Sequence, residues 1–203
     1  MIVRMFAPSE SRAHTPGVRR APHRVLGIDP GLTRCGYAVL DASGAGSGQV
    51  RAVSLGVIRT AASDPIPSRL AQLQADIADL LREFDPSTVA VEQLFFQVNV
   101  RTAMSVGQAS GIILANAAAH GCEVVQYTPN QVKQAIAGWG AADKAQVQKM
   151  VQVRLGLSSP PKPADAADAA AIALCHLATA PLQRQLIDAG AATVHGRVRS
   201  RTA

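Results

Sequence analysis

The stretch Val25-Leu-Gly-Ile-Asp-Pro-Gly31 predicts a buried strand that ends in a carboxylate and then turns at once. Apolar residues lead into Asp29, and the proline and glycine after it favour a turn. A second apolar run, Val89-Ala-Val-Glu92, also ends in an acid. An Asp at a strand end often only begins a turn, and Glu92 could belong to a structural ion pair, because buried charges are usually paired. If the two strands are neighbours, both acids lie at the edge where open α/β sheets usually bind ligands.

A pair of acids follows near the end of the sequence, in Pro163-Ala-Asp-Ala-Ala-Asp168. Asp165 and Asp168 lie three residues apart at the start of an apolar helix predicted over 164–179, so they share one face of that helix. Either acid could instead serve locally, as an N-cap or as a charge that the helix dipole favours. Four converging carboxylates would repel one another, and a bound cation would offset that cost. Oxygen-only ligands suit a hard cation such as Mg²⁺, and two such ions about 4 Å apart can act on one phosphate displacement.

The remaining pattern predicts an α/β fold with a mixed sheet flanked by helices. Strands are predicted at 24–28, 35–40, 49–60, 88–91 and 123–126, and helices at 66–84, 100–119, 128–137, 143–155 and 164–179. Three strands in succession favour an antiparallel meander, and the alternation of strands and helices after them favours parallel crossovers. We expect Gly31 and Gly36 to mark the tight connection between the first two strands, and Gly56 to mark a bulge.

Charge divides the chain into a nearly neutral middle and two basic ends. Residues 1–24 hold five Arg and one Glu, residues 182–203 hold four Arg and one Asp, and residues 25–181 have a net charge of −1. Basic ends suit loose, salt-sensitive contact with nucleic acid, but they are also common as solvated ends. We expect one domain over 24–181, with 1–23 and 182–203 lacking regular structure.

The same composition argues against several classes of protein. No apolar run reaches membrane-spanning length, and residues 1–24 have no apolar segment typical of a secretory signal. The three cysteines are far apart and form no Cys-x-x-Cys pair, so neither a disulfide framework nor a zinc site is indicated. These features predict a cytoplasmic protein with free thiols.

Six motifs occur in an order and at spacings that are highly specific when taken together. They are Leu26-Gly-Ile-Asp-Pro-Gly31 with Gly36-Tyr37, Ala90-Val-Glu-Gln93 followed by Phe95, Gly107-Gln-Ala109 with Gly111, Gln131-Val-Lys-Gln134, Lys144-Ala-Gln-Val-Gln148 and Ala164-Asp-Ala-Ala-Asp-Ala169. The set resembles the RuvC family of Holliday-junction resolvases, within the ribonuclease H-like superfamily. The resemblance spans about 25–177.

This resemblance implies a five-stranded ribonuclease H-like sheet and a homodimeric endonuclease that uses two Mg²⁺ ions per active site, with Mn²⁺ able to substitute. Its substrate would be a four-way DNA junction, which it would resolve by paired symmetric nicks in strands of like polarity. The implied partner is the RuvA–RuvB branch-migration complex. The small residues of the helix over 100–119 would suit a two-fold interface, although they would equally suit packing within one chain.

The resemblance also implies roles for individual residues. Asp29, Glu92, Asp165 and Asp168 would be the catalytic, metal-binding carboxylates. Phe95 would stack on a base near the crossover, and Lys133 and Lys144 would act on the scissile phosphate and the backbone. The residues leave open whether Trp139 contacts DNA or caps the core, whereas His176 is expected to be a packing residue.

Three other functions fit parts of the pattern. Gly27-Ile-Asp-Pro-Gly31 is similar to the phosphate loop of sugar-kinase-like ATPases, but those proteins need a second domain that this chain is too short to contain. A non-catalytic junction-binding protein would not need all four acids. A related nuclease that acts on another branched substrate is the third alternative.

Overall fold

Strands of both orientations form one sheet in the residues that the structure describes. The computed structural model describes residues 2–4, 23–42, 49–93 and 100–180. The strands are β1 (Ile2–Arg4), β2 (His23–Asp29), β3 (Arg34–Ala42), β4 (Val50–Arg59), β5 (Thr88–Glu92) and β6 (Glu123–Tyr127), and they lie in the order β1-β4-β3-β2-β5-β6. β2, β3 and β4 form an antiparallel meander, while β5 is parallel to β2 and β6 is parallel to β5. The predicted mixed sheet is therefore confirmed.

Five helices cover the two faces of the sheet in the same part of the chain. They are α1 (Ile66–Phe84), α2 (Val100–Ala119), α3 (Pro129–Ala137), α4 (Lys144–Arg154) and α5, which spans residues 164–180. Because successive strand residues point to opposite faces, Val25 packs with α3, α4 and α5, whereas Leu26 packs with α1 and α2. None of these helices is long and apolar enough to cross a membrane.

Local sequence signals explain where several helices begin. Thr128 Oγ1 accepts a hydrogen bond from the backbone N–H of Gln131 at 3.1 Å, and Gln131 Oε1 accepts one from the N–H of Thr128 at 2.8 Å. This reciprocal capping box follows from the local sequence Thr128-Pro-Asn-Gln131, and it satisfies two backbone donors at the start of α3. Asp143 and Gln146 form the same arrangement at the start of α4.

Two expectations about the meander are wrong. Residues 2–4 lie in the segment expected to lack regular structure, yet they form β1 and add a sixth strand beside β4. The bulge lies where Val39 and Leu40 pair with Ser54 and Ala52, not at Gly56. A Cβ on Gly56 would lie 2.6 Å from the Tyr37 ring, so close packing explains that glycine.

Glycines in β2 and β3 allow α5 to lie directly on the sheet. A Cβ on Gly27 would lie 2.3 Å from the carbonyl oxygen of Ala169, and one on Gly36 would lie 2.0 Å from that of Asp165. Gly36 therefore lies inside β3 for the sake of helix packing, and not in the turn as expected. Gly31 does serve the turn, since its Cβ would lie 2.1 Å from the Arg34 carbonyl oxygen. Because α5 lies so close to the sheet, its first acidic residue, Asp165, lies over Gly36, which pairs with Asp29 at the end of β2.

We expect Gly36→Ala to lower the free energy of unfolding by at least about 2 kcal/mol, because the added methyl group must push α5 off the sheet. For a chain of this size, thermal denaturation should then show a melting temperature about 4–8 °C lower. Ala75→Leu is the control, because it adds bulk at an exposed position of α1. A Gly36→Ala protein as stable as the control would show that the approach of α5 is not a tight constraint.

Candidate active site

Asp29 and Glu92 are held at the ends of neighbouring parallel strands. Ile28 pairs with Val91 in the β2–β5 ladder, so the acid that follows each of them lies at the same edge of the sheet. This arrangement confirms the prediction that the two strands are neighbours. Asp29 pairs with Gly36 of β3 and Glu92 pairs with Tyr127 of β6, which gives both side chains a rigid base.

The first turns of α5 add the other two acids to this edge. Asp29 pairs with Gly36, the residue over which the Asp165 backbone lies. Asp168 follows one helical turn later and lines a cavity of about 430 Å³ together with Asp29 and Glu92. Asp165 is not among the described residues that line this cavity. Three of the four predicted acids therefore share one cavity, and the fourth lies beside it.

Burial and mutual repulsion strongly perturb the acids at the strand ends. Burial, reinforced by the nearby carboxylates of Glu92, Asp168 and Asp165, raises the pKa of Asp29 to about 8. Burial and the Asp168 charge also raise the pKa of Glu92, although a hydrogen bond with Asp29 and the Lys144 charge oppose the rise. Carboxylates that interact this closely titrate as a coupled group. The site therefore holds a proton at a pH where an ordinary Asp has lost it.

Two basic side chains partly offset this negative charge. Lys144 Nζ donates a hydrogen bond to Asp168 Oδ2 at 2.7 Å, and the Lys144 side chain remains 63% exposed. Arg34 donates to Asp165 Oδ2 through Nε at 3.1 Å and through Nη2 at 2.5 Å. Burial alone would raise the pKa of Asp165, but the hydrogen bond from Arg34 lowers it below its usual value. Each acid of α5 is thus paired with a cation from another element.

The remaining predicted residues have different outcomes. Lys133 lines the cavity with Lys144. Phe95 lies outside the described residues, so its stacking role stays a prediction. His176 is buried, and its Nδ1 lies 2.9 Å from the hydroxyl oxygen of Tyr127, which confirms the packing role. Trp139 is 53% exposed in the α3–α4 connection, so it does not cap the core.

Sequence reasoning missed Arg34. No local pattern identifies it, because its partner lies 131 residues away and reaches it only through the packing of α5 on β3. The only available signal was its place at the start of β3, directly after the tight turn that follows Asp29. All three cysteines are free thiols; Cys35 and Cys175 are buried as predicted, whereas Cys122 is only partly buried.

The donor chemistry of the site fits a hard cation. Within the described residues, no group of three His, Cys, Asp or Glu side chains is already arranged to hold a metal ion. Arg34 and Lys144 instead hydrogen-bond the two acids of α5. The side-chain oxygens that line the cavity are nevertheless all carboxylates, and burial together with their mutual repulsion raises the pKa of Asp29. Both features favour a divalent cation with oxygen ligands.

Comparison with known proteins identifies the family. A family model described as crossover junction endodeoxyribonuclease RuvC matches residues 25–176. This chain belongs to the RuvC family. The match includes all four acids, both lysines and Phe95, whereas the two basic ends lie outside it.

Individual RuvC relatives support the same assignment. A crossover junction endodeoxyribonuclease RuvC from Chloroflexus aggregans is 49% identical over 162 residues, which is 79% of this chain and 97% of the relative. The RuvC of Thermobifida fusca is 51% identical over 76% of this chain and 84% of its own length. Among solved structures, Thermus thermophilus RuvC in complex with a Holliday junction substrate has a TM-score of 0.74, with 39% identity over 79% of this chain and 96% of that one. The ribonuclease H-like fold implied by the motifs is thereby confirmed.

Proposed function

We propose that this chain is a metal-dependent crossover junction endodeoxyribonuclease that resolves Holliday junctions during recombination and DNA repair. It would make paired symmetric nicks in strands of like polarity. The observation that carries this proposal is the convergence of the Asp29, Glu92 and Asp168 carboxylates on one cavity beside two lysines, in a RuvC chain. The relative from Thermus thermophilus, solved with a junction substrate, supports the choice of DNA.

Asp29 is the central residue of the four acids, and the other three lie on either side of it. Asp29 lies between Glu92 on the neighbouring strand and the acids of α5, so Asp29 would be the central residue that holds the two cations, together with Glu92 and the Asp165/Asp168 pair. Two Mg²⁺ ions, or Mn²⁺ in their place, supply Lewis acidity at the scissile phosphate when bound. In this hydrolysis a water oxygen would bond to the phosphorus as the bond to the 3′ oxygen breaks, and one proton of that water would pass to the leaving oxygen, which gives a 5′ phosphate and a 3′ hydroxyl.

The two lysines would bind the phosphate that the acids repel. Lys133 and Lys144 lie on α3 and α4 and line the cavity that contains the carboxylates. Fixed positive charge at this place would stabilise the charge that develops on the phosphate oxygens. Phe95, three residues beyond Glu92, would stack on a base near the crossover, where stacking is worth roughly 1–3 kcal/mol. The partnership with the RuvA–RuvB complex and the role of the basic ends stay predictions.

Cleavage of a mobile four-way junction tests this function directly. The purified protein should nick the junction in Mg²⁺, spare a linear duplex of the same sequence, and do neither in EDTA. Junction binding without nicking at any Mg²⁺ or Mn²⁺ concentration would contradict the proposal and favour a non-catalytic binding protein. Equal cutting of a three-way branch would instead favour a different branched substrate.

We propose that the protein forms a homodimer through the exposed face of α2. Ala109, Ile113 and Ala117 are buried, within the core cluster that includes α1, so one face of this helix serves the chain itself. Gly111 and Ala115 are exposed on the other face, and Met104 on the same face is 63% exposed. A two-fold dimer through this face would present paired active sites to a two-fold junction.

Ala115→Arg is expected to convert the dimer into a monomer, because an arginine on a face of small residues separates the two helices. Light scattering after size-exclusion chromatography should give half the parent mass. On a supercoiled plasmid with an extruded inverted repeat, the parent should release linear DNA and the variant should release nicked circles. Ala75→Arg, at an exposed position of α1, is the control that should stay dimeric. A dimeric Ala115→Arg protein would place the interface elsewhere.

A further inference from the structure

The side chain of Arg34 hydrogen-bonds Asp165, which the proposed function assigns as a metal ligand. Both Nε and Nη2 of Arg34 donate to the same Asp165 oxygen, Oδ2. The Arg34 side chain is 41% exposed and that of Asp165 is 26% exposed. A cation ligated through Oδ2 would have to displace this guanidinium, and a cation ligated through the other carboxylate oxygen would lie beside its positive charge.

The backbone beneath Arg34 is held firmly, although its side chain is open to solvent. Gly31 allows the tight turn that brings the chain back at Arg34. Arg69, which is 9% exposed, donates from Nη2 to Thr33 Oγ1 at 2.6 Å and from Nε to Thr60 Oγ1 at 2.9 Å. The turn is thereby tied to α1 and to the end of β4. The guanidinium of Arg34 can therefore leave Asp165 without any change in the fold around it.

The position of Arg34 distinguishes it from Lys144. Lys144 also pairs with an acid of α5, but it lines the cavity and is placed to meet the phosphate. Neither Arg34 nor Asp165 belongs to the described residues that line that cavity. Arg34 thus pairs with Asp165 from outside the cavity and partly offsets the negative charge that Asp165 adds near Asp29.

We propose that Arg34 is a positioning residue that acts as an exchangeable counterion for Asp165, holding this carboxylate in the metal-free protein and yielding it when a divalent cation binds. The inference rests on the proposed metal-dependent function. An ion pair of this exposure is weak, since water and salt screen it, so a dication with oxygen ligands can replace it. Arg34 would then set the metal concentration at which Asp165 becomes a ligand, and it would lower the affinity of the site for metal.

Titration of the full-length protein with Mn²⁺ in the absence of DNA tests this role. The spectroscopic signal of free Mn²⁺ reports the bound fraction, so the measurement does not depend on cleavage. Arg34→Gln should bind Mn²⁺ with a dissociation constant about fivefold lower than the parent, because its competitor is gone. Arg34→Met, which keeps the aliphatic stem, should do the same and provides a second test if the glutamine variant is unstable.

Two further variants separate this role from a general effect of charge. Arg82→Gln removes an arginine that pairs with Asp79 on α1 and should leave Mn²⁺ affinity unchanged. In an Asp165→Asn background, Arg34→Gln should no longer tighten binding, since a double-mutant cycle isolates the coupling between the two side chains. In EDTA, Arg34→Gln should also melt slightly below the parent, and Mn²⁺ should raise its melting temperature by more than it raises the parent's.

The outcomes distinguish this inference from the proposed function. If the parent binds no Mn²⁺, or if Asp29→Asn binds it as well as the parent, the metal-dependent function fails and the inference fails with it. If the parent binds Mn²⁺ at Asp29 but Arg34→Gln binds it equally well or more weakly, the inference alone is overturned. Equal tightening by Arg82→Gln, or tightening that persists in the Asp165→Asn background, would also overturn it.

Discussion

Asp29→Asn is expected to reduce junction cleavage in Mg²⁺ by about 1,000-fold or more while leaving the fold intact. Asp29 is the acid that all three other carboxylates of the site influence, and it ends a fully paired strand. An amide keeps its shape but removes the charge that would hold both cations, and losing about 4 kcal/mol of metal-based stabilisation corresponds to that factor. A single-turnover assay with an end-labelled mobile junction measures the change.

Junction affinity in EDTA provides the companion measurement for this variant. It should stay within a few-fold of the parent value, because the lysines and the rest of the surface are unchanged. Asp85→Asn is the matched control, since the Asp85 side chain is 92% exposed and precedes β5, at the end of that strand opposite Glu92. Asp85→Asn should cut at the parent rate. An Asp29→Asn protein that also cuts at the parent rate would remove Asp29 from the site.

The metal-free protein is expected to become less stable as the pH rises from about 4 to about 8. Burial and neighbouring carboxylates raise the folded-state pKa of Asp29 to about 8, whereas an Asp in the unfolded chain titrates at about 3.9. Between these values the folded state binds more protons, so the free energy of unfolding falls with rising pH. Glu92, whose pKa is also raised, contributes in the same direction.

Asp29→Asn should remove most of this pH dependence because its side chain carries no charge. In EDTA the variant should melt close to the parent at pH 5 and about 5 °C or more above it at pH 8.5. Asp165 acts in another window, because a lowered pKa stabilises the fold above about pH 4 and this contribution is lost as the pH falls further. Thermal melts across this range measure the effect. A parent melting temperature that is constant from pH 5 to 8.5 in EDTA would contradict the raised pKa of Asp29.

Elements with strong local signals could be predicted closely. α1 has the predicted bounds of 66–84, because apolar residues at helical spacing and prolines at its start are local features. The Thr128 capping box likewise places the start of α3. β1 was missed because a three-residue strand in an Arg- and Pro-rich segment has no periodicity, and its partner β4 lies some 50 residues away.

The same contrast between local signals and tertiary contacts applies to the candidate site. The sequence was sufficient to choose the four acids. Asp29 and Glu92 each end an apolar run, and Asp165 and Asp168 are three residues apart on one predicted helix. The ion pairs of Asp165 with Arg34 and of Asp168 with Lys144 could not be predicted, because these contacts form only after α5 has packed on the sheet. For the same reason the sequence suggested a turn role for Gly36, whereas the structure shows a contact with a helix far along the chain.

The sequence by itself determined which chemical groups this protein has and which local elements carry them, because side-chain identity, capping and periodicity act over a few residues. The tertiary structure decided how those groups are charged and partnered. Burial raises the pKa of Asp29, while Arg34 lowers that of Asp165, although both acids belong to one cluster. The physical reason is that desolvation and ion pairing depend on distances in space, and Arg34 and Asp165 are 131 residues apart in the chain.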